Sequence, residues 1–311
     1  MFKQTLSLGA AIALMACSAS APSAEQVTPE TETSAAKAEP VKRSISAQKI
    51  ADGFYVLLGP GGNIGVSIGD DGVYMIDDKF DRFGEEIITT VAELTDAPIR
   101  YVLNTHFHGD HTGANAKMKA TGATIMGHDN VRKRMGMSFE NKMWNRTVEA
   151  TDPSLWPVLT FSDTATLHFN GQTVKAIHVP SAHTDGDSLV HFEEANIIHM
   201  GDNFFLGMFP FVDVDGGGNL NGMIKAQETA LALSDEATQI IPGHGPMASR
   251  DDLAGSIALL KTIRDRVQGH IDEGKTLEEI IAAKPLADMA HLAAFIKEDG
   301  MITSAYRSLN P

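Results

Sequence analysis

Residues 104–113 read Asn-Thr-His-Phe-His-Gly-Asp-His-Thr-Gly, which crowds His106, His108, Asp110 and His111 into one short run. Imidazole and carboxylate are ordinary ligands for zinc and its neighbours, whereas a fold has little use for four such groups side by side. The chemistry such a cluster could support is that of a bound divalent metal, which polarises a carbonyl and lowers the pKa of a water to about 7. A polar loop that is merely rich in histidine is the plain alternative. The apolar stretch Ile99 to Leu103 reads as a buried strand, so the cluster stands where that strand ends.

Three later positions repeat the arrangement. His183 lies in the run 180–188, Pro-Ser-Ala-His-Thr-Asp-Gly-Asp-Ser, after the alternating stretch Val174 to Val179. Asp202 closes His199-Met200-Gly201-Asp202 after Ala195 to Ile198, and His244 lies in Pro242-Gly243-His244-Gly245 after Ile240-Ile241. Each follows a short β-like run near glycine, so each is expected to emerge at a strand end.

The motifs, their order and their separations resemble the metallo-β-lactamase superfamily over roughly residues 46–250, and the C-terminal helices extend the likeness. The resemblance implies an α+β fold, a four-layer αββα sandwich. It also implies one metal on His106, His108 and His183, a second on Asp110, His111 and His244, and Asp202 bridging them. All seven positions of the two-metal pattern are present. Two Zn²⁺ per chain are expected, with iron or manganese as the other candidates. Asp77, at the end of the apolar run 73–76, matches a family position that supports the ligand loop from behind. Its plain reading is a turn-forming aspartate.

The elements that must position these groups are legible in outline. Phe54 to Leu58, Ile64 to Ile68 and Val73 to Ile76 look like strands separated by glycine-rich turns. Helical spacing runs from Gly84 to Leu94, and a helix is expected from about Gly113 to Ala120 with its N-terminus near the ligands. Asp251 to Gln268 and Leu277 to Ala283 read as helices. Residues 128–160 read as irregular, and their Met135, Met137, Phe139, Met143, Trp144 and Trp156 suit either core packing or a flexible apolar flap. Phe204, Phe205, Phe209 and Phe211 suit a cleft wall or core equally. Thr184, Asp185 and Asp187 read as turn formers. His128, His168, His178, His191, His199, His270 and His291 match no ligand position. No internal repeat is visible.

With 311 residues, 43% of them hydrophobic, the chain can bury a sizeable core. Its formal charge of -15 argues against a nucleic-acid partner. Lys3 followed by the apolar run Leu6 to Ala16 reads as an export signal over residues 1–16. Leu14-Met15-Ala16-Cys17 resembles a lipoprotein box, with Cys17, the single cysteine of the chain, at the lipidation position. Cleavage near Ala21 or Ala24 with release into the periplasm is the alternative. Residues 17–45 are polar and small, too poor in apolar surface to fold, and read as a tether. The catalytic domain is then 46–311, in a bacterial cell envelope, touching the membrane only through its lipid.

The expected reaction is attack by a metal-bridging hydroxide on a carbonyl, with Asp110 orienting the hydroxide. Two Zn²⁺ with Asp110, Asp202 and one hydroxide leave roughly one net positive charge, which favours a small anionic substrate. An exported enzyme meets β-lactams rather than the cytosolic glutathione thioester, so cyclic-amide hydrolysis leads, ahead of lactone, ester or glyoxalase II-type thioester hydrolysis. Two departures are plain: Asp202 stands where some β-lactamases carry a cysteine, and Asn203-Phe204-Phe205-Leu206 offers no cation where they carry a substrate-binding lysine. The lysine's role would fall to the metal or to a residue within 207–221. Asp202 and His111 look more like the thioester-hydrolase arrangement. A one-iron sulfur dioxygenase and a non-catalytic zinc-binding envelope protein are the readings from other classes.

Overall fold

The computed structural model describes residues 44–310. The export signal, Cys17 and tether residues up to 43 lie outside the described residues.

The first half builds β1 (Ser46–Ala51), β2 (Phe54–Leu58), β3 (Ile64–Gly69) and β4 (Gly72–Ile76) as an antiparallel meander. Then come α1 (Gly84–Ala92), β5 (Ile99–Asn104), the single turn α2 (Gly109–Thr112), α3 (Asn115–Ala120), β6 (Thr124–His128) and α4 (Asp129–Met135). A small hairpin, β7 (Phe139–Asn141) and β8 (Arg146–Val148), precedes β9 (Leu159–Phe161). The second half runs β10 (Thr164–Phe169), β11 (Gln172–His178), β12 (Ser188–Phe192), β13 (Ile197–His199), α5 (Leu220–Leu233) and β14 (Gln239–Ile241). Helices α6 (Arg250–Asp272), α7 (Leu277–Ala283) and α8 (Glu298–Leu309) complete it.

Among the described residues the main sheets have strand orders β1-β2-β3-β4-β5-β6-β9 and β10-β11-β12-β13-β14. Strands β4, β5, β6 and β9 pair in parallel, as do β13 and β14. The period-2 alternation of a strand sends successive side chains to opposite faces. Along β4, Tyr74 and Ile76 face the second sheet, where they meet Phe169, Val190 and Phe192. Val73 and Met75 face the other way, onto Ile87 and Val91 of α1 and Met118 of α3. The outer face of the second sheet packs Leu189, Ile198 and Ile240 against α5, α6 and α8. Helix, sheet, sheet, helix is the result, the αββα sandwich expected from the sequence. Aromatic contacts lock the middle, with Phe54 edge-on at 5.1 Å and Tyr74 tilted at 6.1 Å from Phe192.

The structure differs from expectation in residues 128–160, which are not irregular. They carry α4, the β7–β8 hairpin and β9. Each element is too short to leave a readable period. Helix α4 rests on a cap, with Asn130 N donating to His128 Nδ1 at 3.2 Å, and the hairpin turns through Asn145 in the left-handed region. Helix α3 begins two residues after the expected start, because residues 109–112 form a separate turn tied down by Gly113 N donating to Lys79 O. Helices α5 and α8 add to the expected elements. Helix α6 exceeds its expected span, starting from a Ser249–Asp252 capping box.

Candidate metal centre

The side chains singled out in the sequence meet where strands from both sheets end. Asp77 follows β4, His106 and His108 follow β5, and Asp110 and His111 sit in the turn α2. From the other sheet come His183 after β11, Asp202 after β13 and His244 after β14. Their ligand-type atoms fall into two groups, each within 4.8 Å: His106, His108, His183 and Asp202, then Asp110, His111 and His244.

The hydrogen bonds on the far side of each ring decide which nitrogen faces inward. Asp77, fully buried, accepts from Thr105 N at 2.7 Å and from Thr105 Oγ1 at 2.8 Å. His111 Nδ1 donates to the same carboxylate at 2.7 Å, leaving Nε2 with its lone pair inward. Because the Thr105 hydroxyl gives its proton to Asp77, it accepts from His106 Nδ1 at 3.1 Å, and His106 Nε2 also turns inward unprotonated. His183 Nδ1 donates to Phe211 O at 2.7 Å, and His108 Nε2 donates to Asp213 Oδ2 at 2.9 Å. Four imidazoles are thereby held as acceptors pointing at one small volume.

Acceptors facing acceptors are unfavourable unless something positive lies between them. His108 Nδ1 and His183 Nε2 stand 3.0 Å apart. His111 Nε2 stands 3.0 Å from Asp202 Oδ1, yet both atoms, like His106 Nε2, are buried without a hydrogen-bond partner. Asp202 divides its oxygens: Oδ2 lies 3.5 Å from His183 Nε2 and 3.8 Å from His106 Nε2, while Oδ1 lies 3.3 Å from His244 Nε2. Asp110 Oδ2 stands 3.4 Å from His244 Nε2 and 3.7 Å from His111 Nε2. Ligands about 2.0–2.1 Å from a tetrahedral zinc are roughly 3.3 Å from one another. The separations and donor types therefore fit the binding of metal ions.

Titration follows the same geometry. Burial holds His106 well below the usual histidine value and lowers His183 to about 4. Burial also opposes charge on His244, but Asp202 and Asp110 outweigh it and raise this group to about 9. His111 is raised well above its usual value, since burial is overcome by Asp202, Asp77 and Asp110. Burial likewise disfavours charge on His108, and the Asp213 hydrogen bond reverses it, raising that group. Without a metal, a proton therefore takes the inward nitrogen of His108, His111 and His244, and a bound metal would replace it there.

Two close approaches demand glycine. A Cβ at Gly62 would lie 2.1 Å from the His111 ring, and one at Gly243 would lie 2.1 Å from Asp202 Oδ1. Lys79, fully buried, secures the first approach by donating from Nζ to Gly62 O, and to Gly59 O at 3.4 Å. Burial lowers this ammonium to about 8 despite Asp110 and Asp77.

Sequence reasoning missed Lys79, Asp213 and the two guanidinium groups lining the cleft, Arg134 and Arg146. The segment 207–221 supplies no cation; it supplies Asp213 instead. The basic residues lie in 128–160, where the cluster Arg132, Lys133, Arg134, Lys142 and Arg146 was the available signal. The four phenylalanines divide: Phe204 and Phe209 are core, while Phe205 stacks on His244 at 5.1 Å and Phe211 lines the cleft. Asp187 closes the turn after His183, accepting from Thr184 N and Oγ1, and Asp185 pairs with Arg134. None of the seven histidines set aside in the sequence joins the two groups, and His128 and His178 stack on each other at 3.6 Å.

A family profile described as the metallo-beta-lactamase superfamily matches residues 61–244. The chain belongs to this superfamily. A lactamase-like protein of Emericella nidulans is 28% identical over 211 residues, covering 63% of this chain and 59% of that protein. A hydroxyacylglutathione hydrolase of Methylococcus capsulatus is 28% identical over 193 residues, covering 60% of this chain and 66% of the relative. The chain thus spans 59% to 66% of the length of these curated relatives. Among solved structures, a metallo-beta-lactamase from Pontibacter korlensis superposes with a TM-score of 0.58 at 18% identity, covering 70% of this chain and 99% of that one. A sec-alkyl sulfatase double mutant gives 0.62 at 15% identity, over 85% and 49%. These two likenesses show the fold.

Two outcomes are expected from this geometry. Asp77→Asn keeps the shape but puts an amide donor against Thr105 and His111, so zinc affinity measured by competition with a chromophoric chelator should fall about 10–100-fold. Acidification should displace metal first from the group of His244 and His111, whose neighbouring carboxylates favour the proton. The His106–His108–His183 group has one raised histidine against two lowered ones, so it should hold metal to lower pH. Metal content after dialysis across a pH series reads the order; simultaneous loss from both groups contradicts it.

Proposed function

We propose that the chain is a dinuclear zinc-dependent hydrolase acting on a carbonyl, with a cyclic amide of β-lactam type as the leading substrate. Membership of the superfamily supports hydrolysis in general. The observation that carries the two-metal reading is the Asp202 carboxylate, whose oxygens face one histidine group each, within a cluster of inward lone pairs. In that reading His106, His108 and His183 hold one ion, and Asp110, His111 and His244 hold the other. When bound, the ions supply a water acidic enough to be a nucleophile at neutral pH and an electrophile for the substrate oxygen.

The residues of the chain do the rest. Asp110, 23% exposed at the cleft floor, is the catalytic carboxylate that accepts a hydrogen bond from the attacking hydroxide and orients it. Without metal, burial opposes its charge but charged His111 and His244 lower it to about 2; with the ions bound, their positive charge would keep it ionised in the same way. Asp213 and the Phe211 carbonyl hold the two rings behind the cleft in register.

A second reading, thioester hydrolysis of the glyoxalase II type, is favoured by the hydroxyacylglutathione hydrolase relatives and by an aspartate rather than a cysteine at position 202. Chelation followed by zinc reconstitution, with hydrolysis scored on β-lactams, lactones, thioesters and phosphodiesters, tests both. Expected are two zincs per chain and turnover of a β-lactam that vanishes with the metal. Inactivity on every β-lactam with turnover of a thioester reverses the ranking, and one iron per chain with thiol oxidation replaces hydrolysis by dioxygenase chemistry.

We also place the enzyme in a bacterial envelope, exported by residues 1–16 and lipidated at Cys17. Labelling with radioactive palmitate should mark the chain in cells and be lost in Cys17→Ser, whereas label retained by the variant rules the anchor out.

A further inference from the structure

The hydrolase reading leaves open which acyl groups the cleft accepts, and the inference below rests on it. A cavity of about 690 Å³ opens above the ligand cluster. One of its walls comes from outside the ligand loops. The β7–β8 hairpin brings Trp144 and Arg146, and the segment before α8 brings Phe295. The Trp144 ring lies 5.3 Å from Phe295 and 5.8 Å from Phe211, and Phe211 stacks on His108 at 5.8 Å. The rings form an unbroken apolar shelf from a ligand histidine to the cleft mouth. Its outer members are open to solvent, Trp144 by 37% and Phe295 by 65%, so core packing does not account for them.

The cations of the cleft are not equivalent. Arg134 is engaged by Asp185 through Nε at 3.0 Å and Nη2 at 2.6 Å, and it also donates to Asp215 O. Among the described residues the Arg146 guanidinium has no hydrogen-bond or ion-pair partner. Glu149, on the same wall, accepts from Ser138 Oγ at 2.9 Å. An unengaged guanidinium beside apolar surface, in a chain of charge -15, is a receptor for a carboxylate.

The hairpin is also held in place. Asn141 Nδ2 donates to Asp213 Oδ1 at 3.3 Å, Trp144 N donates to Asn141 Oδ1 at 3.1 Å, and Lys142 N donates to Asp215 Oδ2 at 2.8 Å. Arg307 of α8 pairs with Asp215. A wall fixed before the substrate arrives loses little entropy on binding.

We propose that the β7–β8 hairpin is the specificity element of the site. It selects acyl substrates that carry a bulky aromatic group, packed on Trp144 and Phe295, together with a carboxylate held by Arg146. Small polar acyl groups leave both the shelf and the guanidinium without a partner.

The test uses the zinc-loaded full chain and three probes: benzylpenicillin, its methyl ester, and 6-aminopenicillanic acid, which lacks the aryl group. In Arg146→Gln the acid-to-ester ratio of kcat/KM should fall about tenfold, the scale of one lost charge-assisted interaction. In Phe295→Ala, a substitution at an exposed site, the ratio of benzylpenicillin to 6-aminopenicillanic acid should fall, with the change in KM rather than kcat. Equal effects on both members of either pair overturn the proposal. If no lactam is turned over, calorimetric binding of phenylacetylglycine still decides: a Kd about tenfold weaker in Arg146→Gln supports the hairpin role while the β-lactam reading fails. Absent or unaltered binding refutes the hairpin role itself.

Discussion

The whole centre depends on one buried carboxylate. Asp77 leaves β4 with φ 67, an unusual backbone for a residue other than glycine, and turns its oxygens onto Thr105 and His111. Burying a charge is costly unless hydrogen bonds surround it, and three donors do so here. In return a single group joins the ends of β4 and β5 and determines the protonated nitrogen of two rings. His111 is set directly, and His106 is set through the Thr105 hydroxyl. The tautomers of one member from each ligand group therefore share a common origin.

The sandwich makes such a hub possible. Parallel pairing places the C-terminal ends of β4 and β5 side by side, and parallel β13 and β14 do the same in the second sheet. Apolar layers on both sides of each sheet keep these ends in fixed relation, so seven polar side chains from distant parts of the chain reach within a few ångströms of each other. Their crowding runs against ordinary packing, since buried acceptors meet without donors. Conflict between local polarity and burial marks a place built to receive a ligand.

Most of this was legible in the chain. Ligand positions could be read because each is a histidine or aspartate at the end of a β-like run, and residue type plus strand end are both local signals. The long helix α6 and the central strands could be read from their period. What escaped depends on tertiary contact. Asp213 is one of several acids in an irregular stretch until His108 is seen beside it, and Lys79 resembles a surface lysine until its burial is known. Residues 128–160 hid a helix and a hairpin because three- to seven-residue elements are defined by caps and cross-chain bonds rather than by a repeat. The free state of Arg146 follows from what its neighbours already bind, a property no single stretch of sequence contains.

The aspartate behind His108 serves two other side chains. Its Oδ2 orients a ring of the cluster while its Oδ1 carries Asn141, the end of β7. Remodelling that hairpin to admit a different guest therefore tugs on a ring at the reactive floor. A lineage that broadens its diet along this route would pay in metal retention, and compensating changes should accumulate around residues 213–216 rather than in the pocket lining.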